Sequence, residues 1–304
     1  MCKEIDAVVL NFSSTGLLLL DITLAIIMLG VALSIRIDDF RQLMYHPKAA
    51  FVGLSSQLIL LPALTFLFVW ILEPCPGIAL GMFLVAACPG GNVSNFISQQ
   101  ARANTALSVS LSAVSTLLAL IVTPLNFALW AGMYEPVGDR LREISLQPMD
   151  IVVKVSLILG LPLLLGMWIR HRFPRTADKM EQPFRWVSIV IFAIYLGVAF
   201  INNLDNFIQY VGEVFFIVLI HNGLAVGGGY TWASIFRLPQ QDRRTVAIET
   251  GIQNSGLALV LIFSGIFQNV GGMAMIAAFW GIWHIVSGFS IAAIWGRQPI
   301  VSPE

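Results

Sequence analysis

The chain has 304 residues, of which 57% are hydrophobic and 11% are charged, and its mean hydropathy is +0.82. This composition excludes an ordinary soluble globular domain. The 17 lysines and arginines balance the 17 aspartates and glutamates, so the basic excess typical of nucleic-acid-binding proteins is absent. We therefore expect a membrane protein whose partners are the lipid bilayer and small solutes, and no nucleic acid.

Nine apolar runs follow one another along the chain, and each is long enough to cross a bilayer core of about 30 Å as a helix. They are the segments 15–35, 49–72, 77–100, 105–131, 151–169, 184–202, 209–236, 244–268 and 272–296. The connections between them are too short to form a separate soluble domain. The predicted fold is all-α, a polytopic membrane protein with one transmembrane domain over 1–304.

The basic residues predict how the chain is oriented in the membrane. When lysines and arginines are assigned to alternate connections, thirteen of the 17 fall on one side. The other side receives Lys3, Arg140, Arg142 and Lys154. Because basic residues concentrate in cytoplasmic connections, we expect the N-terminus outside and the C-terminus in the cytoplasm. The expected location is the cell membrane, as a multi-pass protein of a bacterial inner membrane.

The third and eighth predicted spans are interrupted in the same way. CPGGNVSN (88–95) and ETGIQNSG (249–256) place glycine, asparagine and serine where an ordinary membrane helix has leucine and valine. A matched pair of interrupted segments is typical of inverted-repeat transporters that bind their substrate near the membrane midplane. We therefore predict a first repeat over 15–131, which lacks its first helix, and a second, five-helix repeat over 151–296.

Glu249 is the carboxylate placed most deeply within an apolar run. A charge at that depth is costly, which makes the residue a functional candidate. Thr250, Gln253, Asn254 and Ser255 follow it in sequence and carry oxygen atoms, the ligands that a hard cation such as Na⁺ prefers. The alternative is a glutamate that is protonated, or that is hydrogen-bonded to a neighbouring helix.

The fourth predicted span carries a stripe of hydroxyl groups, because Ser108, Ser112 and Ser115 are spaced to lie on one helical face. On the spacing alone, the favoured explanation is close helix packing, with each serine bonded to a carbonyl of its own helix. The stripe predicts a cation site only if it faces Ser94 and Asn95 of the third span and the buried glutamate. The spacing does not decide between these interpretations.

Sequence signatures of catalysis are absent: the chain has no HExxH, CxxC, GxSxG or Gly-rich phosphate-binding motif. We therefore expect no enzymatic activity. Cys2, Cys75 and Cys88 are widely spaced, and we interpret all three as small apolar residues.

Several segments together resemble the bile acid:sodium symporter family, and in particular its bacterial members. They are CPGGNVSN (88–95), ARANTALSVSLSAVST (101–116), HNG (221–223), RRTVAIETGIQNSGLA (243–258) and WHIVSG (283–288). The resemblance runs from about residue 20 to 296. It implies a core domain and a panel domain, with two broken helices that cross in the core, and it implies two bound sodium ions.

The resemblance also implies which residues bind the ions and the substrate. One sodium site would use Ser94, Asn95, Ser108, Ser112 and Glu249, and a second would use Gln57, Glu249 and Gln253 with backbone carbonyls of Thr250 and Ile252. The substrate would lie beside the broken helices, near Asn92, Asn254 and His284.

The predicted function is sodium-coupled import of an organic anion, either bile-acid-like or a small carboxylate, by alternating access in a monomer. Proton-coupled transport of the anion on the same fold is the first alternative, with Glu249 as the proton carrier. A membrane receptor that binds such an anion without moving it is the second.

Overall fold

The computed structural model describes residues 22, 25, 26, 28–137, 148–202, 204–263 and 271–298, and the secondary structure in these ranges is helical. We number the helices in chain order. They are α1 (28–34), α2 (Ile37–Tyr45), α3 (Pro47–Leu72), α4 (Pro76–Ala87), α5 (Val93–Gln100), α6 (Thr105–Met133), α7 (Pro148–Arg172), α8 (Pro174–Asn202), α9 (Leu204–Ile235), α10 (Gln240–Gly251), α11 (Ser255–Leu261) and α12 (Gly271–Trp295).

Helices occupy the second to the ninth predicted spans in the described residues, apart from residues 88–92, 252–254 and the last residue of two spans, whereas most of the first span, 15–35, lies outside the described residues. Four helical segments in the described part of the chain have the length and hydropathy to cross a membrane: α3, α6, the Val214–Ile235 part of α9, and α12. The prediction of an all-α membrane protein is confirmed at this level. The number of nine spans, the two repeats and the core and panel domains stay predictions.

Both predicted interruptions are present. The third span divides into α4 and α5, which are separated by residues 88–92, and the eighth divides into α10 and α11, which are separated by residues 252–254. In the second interruption, the Asn254 side chain accepts a hydrogen bond from the Leu257 amide at 2.9 Å and so caps the start of α11. The prediction that these two spans are broken is confirmed.

The two interruptions hydrogen-bond to each other through their backbones. The Gly91 amide donates to the Ile252 carbonyl at 2.8 Å, and the Asn254 amide donates to the Pro89 carbonyl at 2.8 Å, so the segments pair as an antiparallel bridge. Backbone groups that leave a helix inside a membrane protein need other partners, because no water is available in the hydrocarbon region. Each interruption supplies partners for the other.

Helix α3 contains one wide turn, a π-helical segment over Ser56–Leu60. Pro62 has no N–H with which to bond the Leu58 carbonyl four residues earlier. Instead, Nδ2 of Asn126 in α6 donates to that carbonyl at 2.8 Å. The wide turn therefore ends two residues before a proline, and a side chain of another helix satisfies the carbonyl that the proline leaves unpaired.

The inner halves of the two broken spans are surrounded by protein. In α4, all residues from Gly77 to Ala87 are buried, and α4 packs backbone-to-backbone against α12. A Cβ atom at Gly81 would lie 2.9 Å from the Cα of Met273, so that contact requires a glycine. In α10, every residue from Arg244 to Gly251 is buried. Both interruptions thus lie in the interior of the helix bundle.

Arg244 ties the ends of two helices to α10. Its guanidinium donates 3.0 Å hydrogen bonds to the carbonyl of Ala101, just beyond α5, and to the carbonyl of Trp295, the last residue of α12. The side chain is 1% exposed. Carbonyls at helix C-terminal ends carry partial negative charge, which suits a buried cation without a carboxylate partner among the described ion pairs.

The cysteines are not all alike. Cys88 is free and buried at the first interruption, whereas Cys75, in the connection between α3 and α4, is disulfide-bonded. The interpretation of all three cysteines as small apolar residues is therefore wrong for Cys75, because spacing in the sequence carries no information on which thiols meet in the fold.

Candidate functional site

Glu249 lies in the last turn of α10, with its side chain fully buried beside the paired interruptions. Hydroxyl groups from two other helices surround the carboxylate. Oε1 accepts hydrogen bonds from Ser94 of α5 and, at 2.5 Å, from Ser108 of α6. Ser112 of α6 lies one turn further along, with its Oγ 3.0 Å from Oε2 and 3.2 Å from Oε1.

Asn95 completes this group of side chains. Its Oδ1 lies 2.9 Å from Oγ of Ser108, whose one hydroxyl proton is directed at Glu249, and 3.4 Å from Oγ of Ser112. The structure thus brings together the five residues of the first predicted sodium site. They contribute two carboxylate oxygens, three hydroxyl oxygens and one amide oxygen.

In the predicted hydroxyl stripe of α6, two serines agree with the cation-site interpretation and one agrees with the packing interpretation. Ser108 and Ser112 face the carboxylate, whereas Oγ of Ser115 donates to the carbonyl of Ser112 at 3.2 Å, within its own helix. Ser115 therefore has the bond expected of a packing serine. The first two members of the stripe face the glutamate and the third does not.

The carboxylate has hydrogen-bond donors but no cationic side chain as a partner. The ion pairs in the described part of the chain do not include Glu249. Its donors are the three serines and Nε2 of Gln57, at 3.0 Å from Oε2. A buried carboxylate with only neutral partners is costly while it stays ionised. The arrangement thus provides negative charge and oxygen atoms together, in the interior of the bundle.

A second group of oxygens lies on the other side of Glu249, between α3 and the second interruption. Nε2 of Gln57, in the wide turn, also donates to the Glu249 carbonyl oxygen at 3.3 Å. Nε2 of Gln253 donates to the Thr250 carbonyl at 2.8 Å. The side-chain oxygens of both glutamines are buried and have no hydrogen-bond donor within the described residues. The Ile252 carbonyl, buried as well, accepts from the paired interruption.

These unpaired amide oxygens are unusual, because nearly all buried polar atoms in proteins have a partner. The structure brings together Gln57, Glu249, Gln253, Thr250 and Ile252, the members of the second predicted site. Two of these five residues contribute an acceptor oxygen with vacant lone pairs and no donor, which is the arrangement a bound cation satisfies.

The three residues predicted near the substrate differ in how exposed their side chains are. Asn92 is exposed at the start of α5, and Asn254 is half-buried with its side chain engaged in capping α11. His284 is buried in α12, and its Nδ1 has no hydrogen-bond partner among the described residues. Their role at a substrate site stays a prediction.

Two polar residues without a predicted role contact the site. Ser56, in the wide turn, lies with its hydroxyl 2.7 Å from that of Thr250. Nδ2 of Asn222 in α9 donates to the Gly251 carbonyl at 2.7 Å, and its Oδ1 accepts from Ser287 of α12 at 2.6 Å. In the sequence, each of the two is recognisable only as a polar residue in an apolar run. That pattern does not predict which residue its side chain contacts.

Comparison with known proteins agrees with the motifs. The sequence profile of the Sodium Bile acid symporter family matches residues 21–210, which is more than half of the chain. The chain belongs to the sodium bile acid symporter family. The matched range ends before Glu249, but individual members of the family are similar over most of the chain, including α10.

The "Uncharacterized sodium-dependent transporter YocS" of Bacillus subtilis is 30% identical over 277 residues, which are 91% of this chain and 83% of that protein. The chloroplastic "Probable sodium/metabolite cotransporter BASS1" of Arabidopsis thaliana is 30% identical over 90% of this chain and 66% of its own length. The human "Sodium/bile acid cotransporter 4" is 30% identical over 79% of this chain and 54% of its own length. The chain thus spans less than two thirds of the plant and human relatives.

Proposed function

We propose that this protein is a sodium-coupled symporter that imports an organic anion, either bile-acid-like or a small carboxylate, by alternating access. The buried carboxylate of Glu249 carries the proposal, because it is enclosed by hydroxyl and amide groups and has no cationic side chain among its described partners. Sodium ions are the co-transported species. The proposal agrees with the family and with the printed names of relatives, which describe sodium-dependent transporters and cotransporters.

The chemistry of the two oxygen groups fits Na⁺. A hard cation of this kind takes several oxygen ligands from carboxylate, amide, hydroxyl and carbonyl groups, and both groups here consist of such oxygens. The first ion would be held by Ser94, Asn95, Ser108, Ser112 and Glu249. The second would be held by Gln57, Glu249 and Gln253 with the Thr250 and Ile252 carbonyls. Glu249 belongs to both sets, so each ion lowers the cost of burying its charge.

The paired interruptions suggest how ion binding is coupled to the anion. The proposed ion ligands include Ile252, whose carbonyl accepts from Gly91 at the first interruption. Ions that fix the second interruption therefore also fix the first, and both adjoin Asn92 and Asn254, near which we place the anion. A ligand shifts a conformational equilibrium through its different affinities for the two states. Without sodium, the ionised Glu249 disfavours the state that is competent to bind the anion.

The proposed orientation has the N-terminus outside and the C-terminus in the cytoplasm of a bacterial cell. The distribution of basic residues supports it, with thirteen of 17 on the cytoplasmic side. The disulfide-bonded Cys75 also supports it, because the connection between α3 and α4 then lies outside the cytoplasm, where disulfides persist.

The test is uptake by the purified protein in proteoliposomes, with a panel of radiolabelled organic anions and an inward sodium gradient. We expect at least one anion to accumulate with sodium outside and not when choline replaces sodium at constant pH. Accumulation that persists in choline and follows an imposed proton gradient would replace sodium by protons as the coupling ion. Saturable binding of an anion without any counterflow of labelled anion would instead identify a receptor.

A further inference from the structure

The wide turn of α3 has two identifiable causes. In an α-helix the Leu58 carbonyl accepts from the amide of residue 62, but Pro62 has no N–H and its ring would clash with that carbonyl. In the structure the Leu61 amide donates to the Ser56 carbonyl, five residues earlier, so the turn is wider than an α-turn. Asn126 of α6 donates to the displaced Leu58 carbonyl at 2.8 Å. The proline removes the α-helical bond, and the asparagine stabilises the resulting geometry.

The wide turn sets the direction of the side chains that face Glu249. Gln57 lies within it, fully buried, and donates to Oε2 of Glu249 at 3.0 Å. The following part of α3 is fixed separately, since Oγ1 of Thr65 lies 2.7 Å from Nε2 of His221 in α9. Each residue of an α-helix turns the chain by about 100° around the helix axis. Restoring an α-turn would therefore rotate the residues before the wide turn by about that angle relative to those after it. With Thr65 held in place, that rotation turns Gln57 away from Glu249.

We propose that Pro62 and Asn126 are positioning residues for the ion site. They act by holding α3 in the wide turn that directs Gln57 at Glu249 and leaves the Gln57 amide oxygen free for a cation. The inference rests on the proposed sodium coupling for its functional consequence. Its structural part, that the turn positions Gln57 on Glu249, is testable without sodium. Wide turns of this kind occur at functional sites in many proteins.

The first experiment compares Pro62→Ala and Asn126→Leu with wild type. The control is Pro162→Ala, at a half-buried proline inside α7, outside the candidate site. The measured quantity is the sodium concentration that gives half-maximal thermal stabilisation of the purified protein in detergent. We expect it to rise about tenfold in both variants, as for the loss of one well-placed ligand, and to stay unchanged in the control.

The melting temperature without sodium distinguishes a positioning role from a purely structural one, which would lower it. Replacing a helix-interior proline with alanine restores an N–H and raises helix propensity, so Pro62→Ala should leave the melting temperature in sodium-free choline buffer unchanged or higher. Weaker sodium binding together with undiminished sodium-free stability identifies positioning. A lower melting temperature without any change in the sodium midpoint would overturn the inference.

The second experiment is a double-mutant cycle in sodium-free buffer, which combines Pro62→Ala with Gln57→Leu and Asn126→Leu with Gln57→Leu. If the wide turn holds Gln57 against Glu249, the effect of Gln57→Leu on the melting temperature falls by at least half in either background. Independent residues would give additive effects. Additivity in both cycles refutes the positioning role even if wild type binds sodium. A wild type that sodium does not stabilise contradicts the proposed coupling, whatever the cycles give.

Discussion

Gly90 lies so close to Glu249 that a side chain at position 90 would require the buried carboxylate to move. A Cβ atom at position 90 would lie 2.7 Å from Oε2 of Glu249 and 3.1 Å from Nε2 of Gln57. Both distances are below ordinary van der Waals contact with carbon, and both groups are buried on all sides. The absence of a side chain at Gly90 therefore leaves the space in which Gln57 and Glu249 form their hydrogen bond.

Gly90→Ala should abolish sodium-dependent uptake, because the added methyl group displaces the Glu249 carboxylate from its donors. The measurement is initial uptake in proteoliposomes at saturating sodium. Gly132→Ala in α6 is the matched control, since a Cβ atom there meets nothing within 4 Å. Uptake by Gly90→Ala at the wild-type rate would mean that the carboxylate is not required in its observed position.

Serine-to-alanine substitutions in α6 should separate the two kinds of serine. Ser108→Ala and Ser112→Ala each remove a hydroxyl beside Glu249, and we expect each to weaken apparent sodium affinity about fivefold to tenfold. Ser110→Ala and Ser115→Ala should change it by less than about twofold, because these hydroxyls donate to carbonyls of their own helix. Sodium titration of uptake gives the affinities, and equal effects at all four positions would contradict the first ion site.

Gln253→Ala should reduce the number of coupled ions. The wild-type Hill coefficient for sodium is expected near 2, one for each oxygen group. Removing the Gln253 amide, whose oxygen has no donor among the described residues, should bring the coefficient towards 1 and slow uptake. Glu249→Gln should abolish sodium dependence altogether, because it removes the charge common to both groups. Cotransport of a single sodium ion per anion by wild type would limit the site to one ion.

Asn222 should influence sodium binding through the Gly251 carbonyl that it holds. Asn222→Leu keeps the approximate volume and removes the hydrogen bonds to Gly251 and Ser287, and we expect apparent sodium affinity to fall about fivefold. Ser287→Ala should produce a smaller change in the same direction. Ser290→Ala, in the same helix, should have no effect because its exposed hydroxyl donates to Val286. Sodium-induced thermal stabilisation measures all three.

Arg244→Met should destabilise the protein by about 2 kcal/mol, because it leaves the Ala101 and Trp295 carbonyls buried without their donor. A lower apparent melting temperature in detergent is the expected result, with sodium present or absent. The exposed Arg297→Met is the matched control and should change little. A sodium midpoint shifted by more than the stability loss explains would instead place Arg244 in the ion-binding machinery.

Much of the local architecture was predictable from the sequence. Apolar length marked the helical spans, and glycine, proline and asparagine in mid-span marked both interruptions, because these residues weaken a helix wherever they occur. Glu249 was predictable as a functional candidate on energetic grounds, since an ionisable group deep in an apolar run needs a specific environment. The family motifs then added which serines and amides accompany it.

The remaining features depend on distances that no local pattern encodes. The spacing of Ser108, Ser112 and Ser115 is the same for a site and for packing, and only the packing of α6 against α5 and α10 separates Ser115 from the other two. The wide turn in α3 needs Asn126, which lies 68 residues from Leu58. A proline in an apolar helix predicts a distortion but not the helix that supplies the missing donor.

The hydrogen bonds between the two interruptions also constrain how the chain is made. The backbone groups of Pro89 and Gly91 find their partners at Ile252 and Asn254, about 160 residues later in the chain. Unpaired backbone groups in hydrocarbon cost several kcal/mol each. The first broken span therefore cannot reach its final structure until the residues that pair with it have been synthesised. We expect this structure to form only after residue 254 has been synthesised, and a chain truncated before residue 252 to be less stable in the membrane.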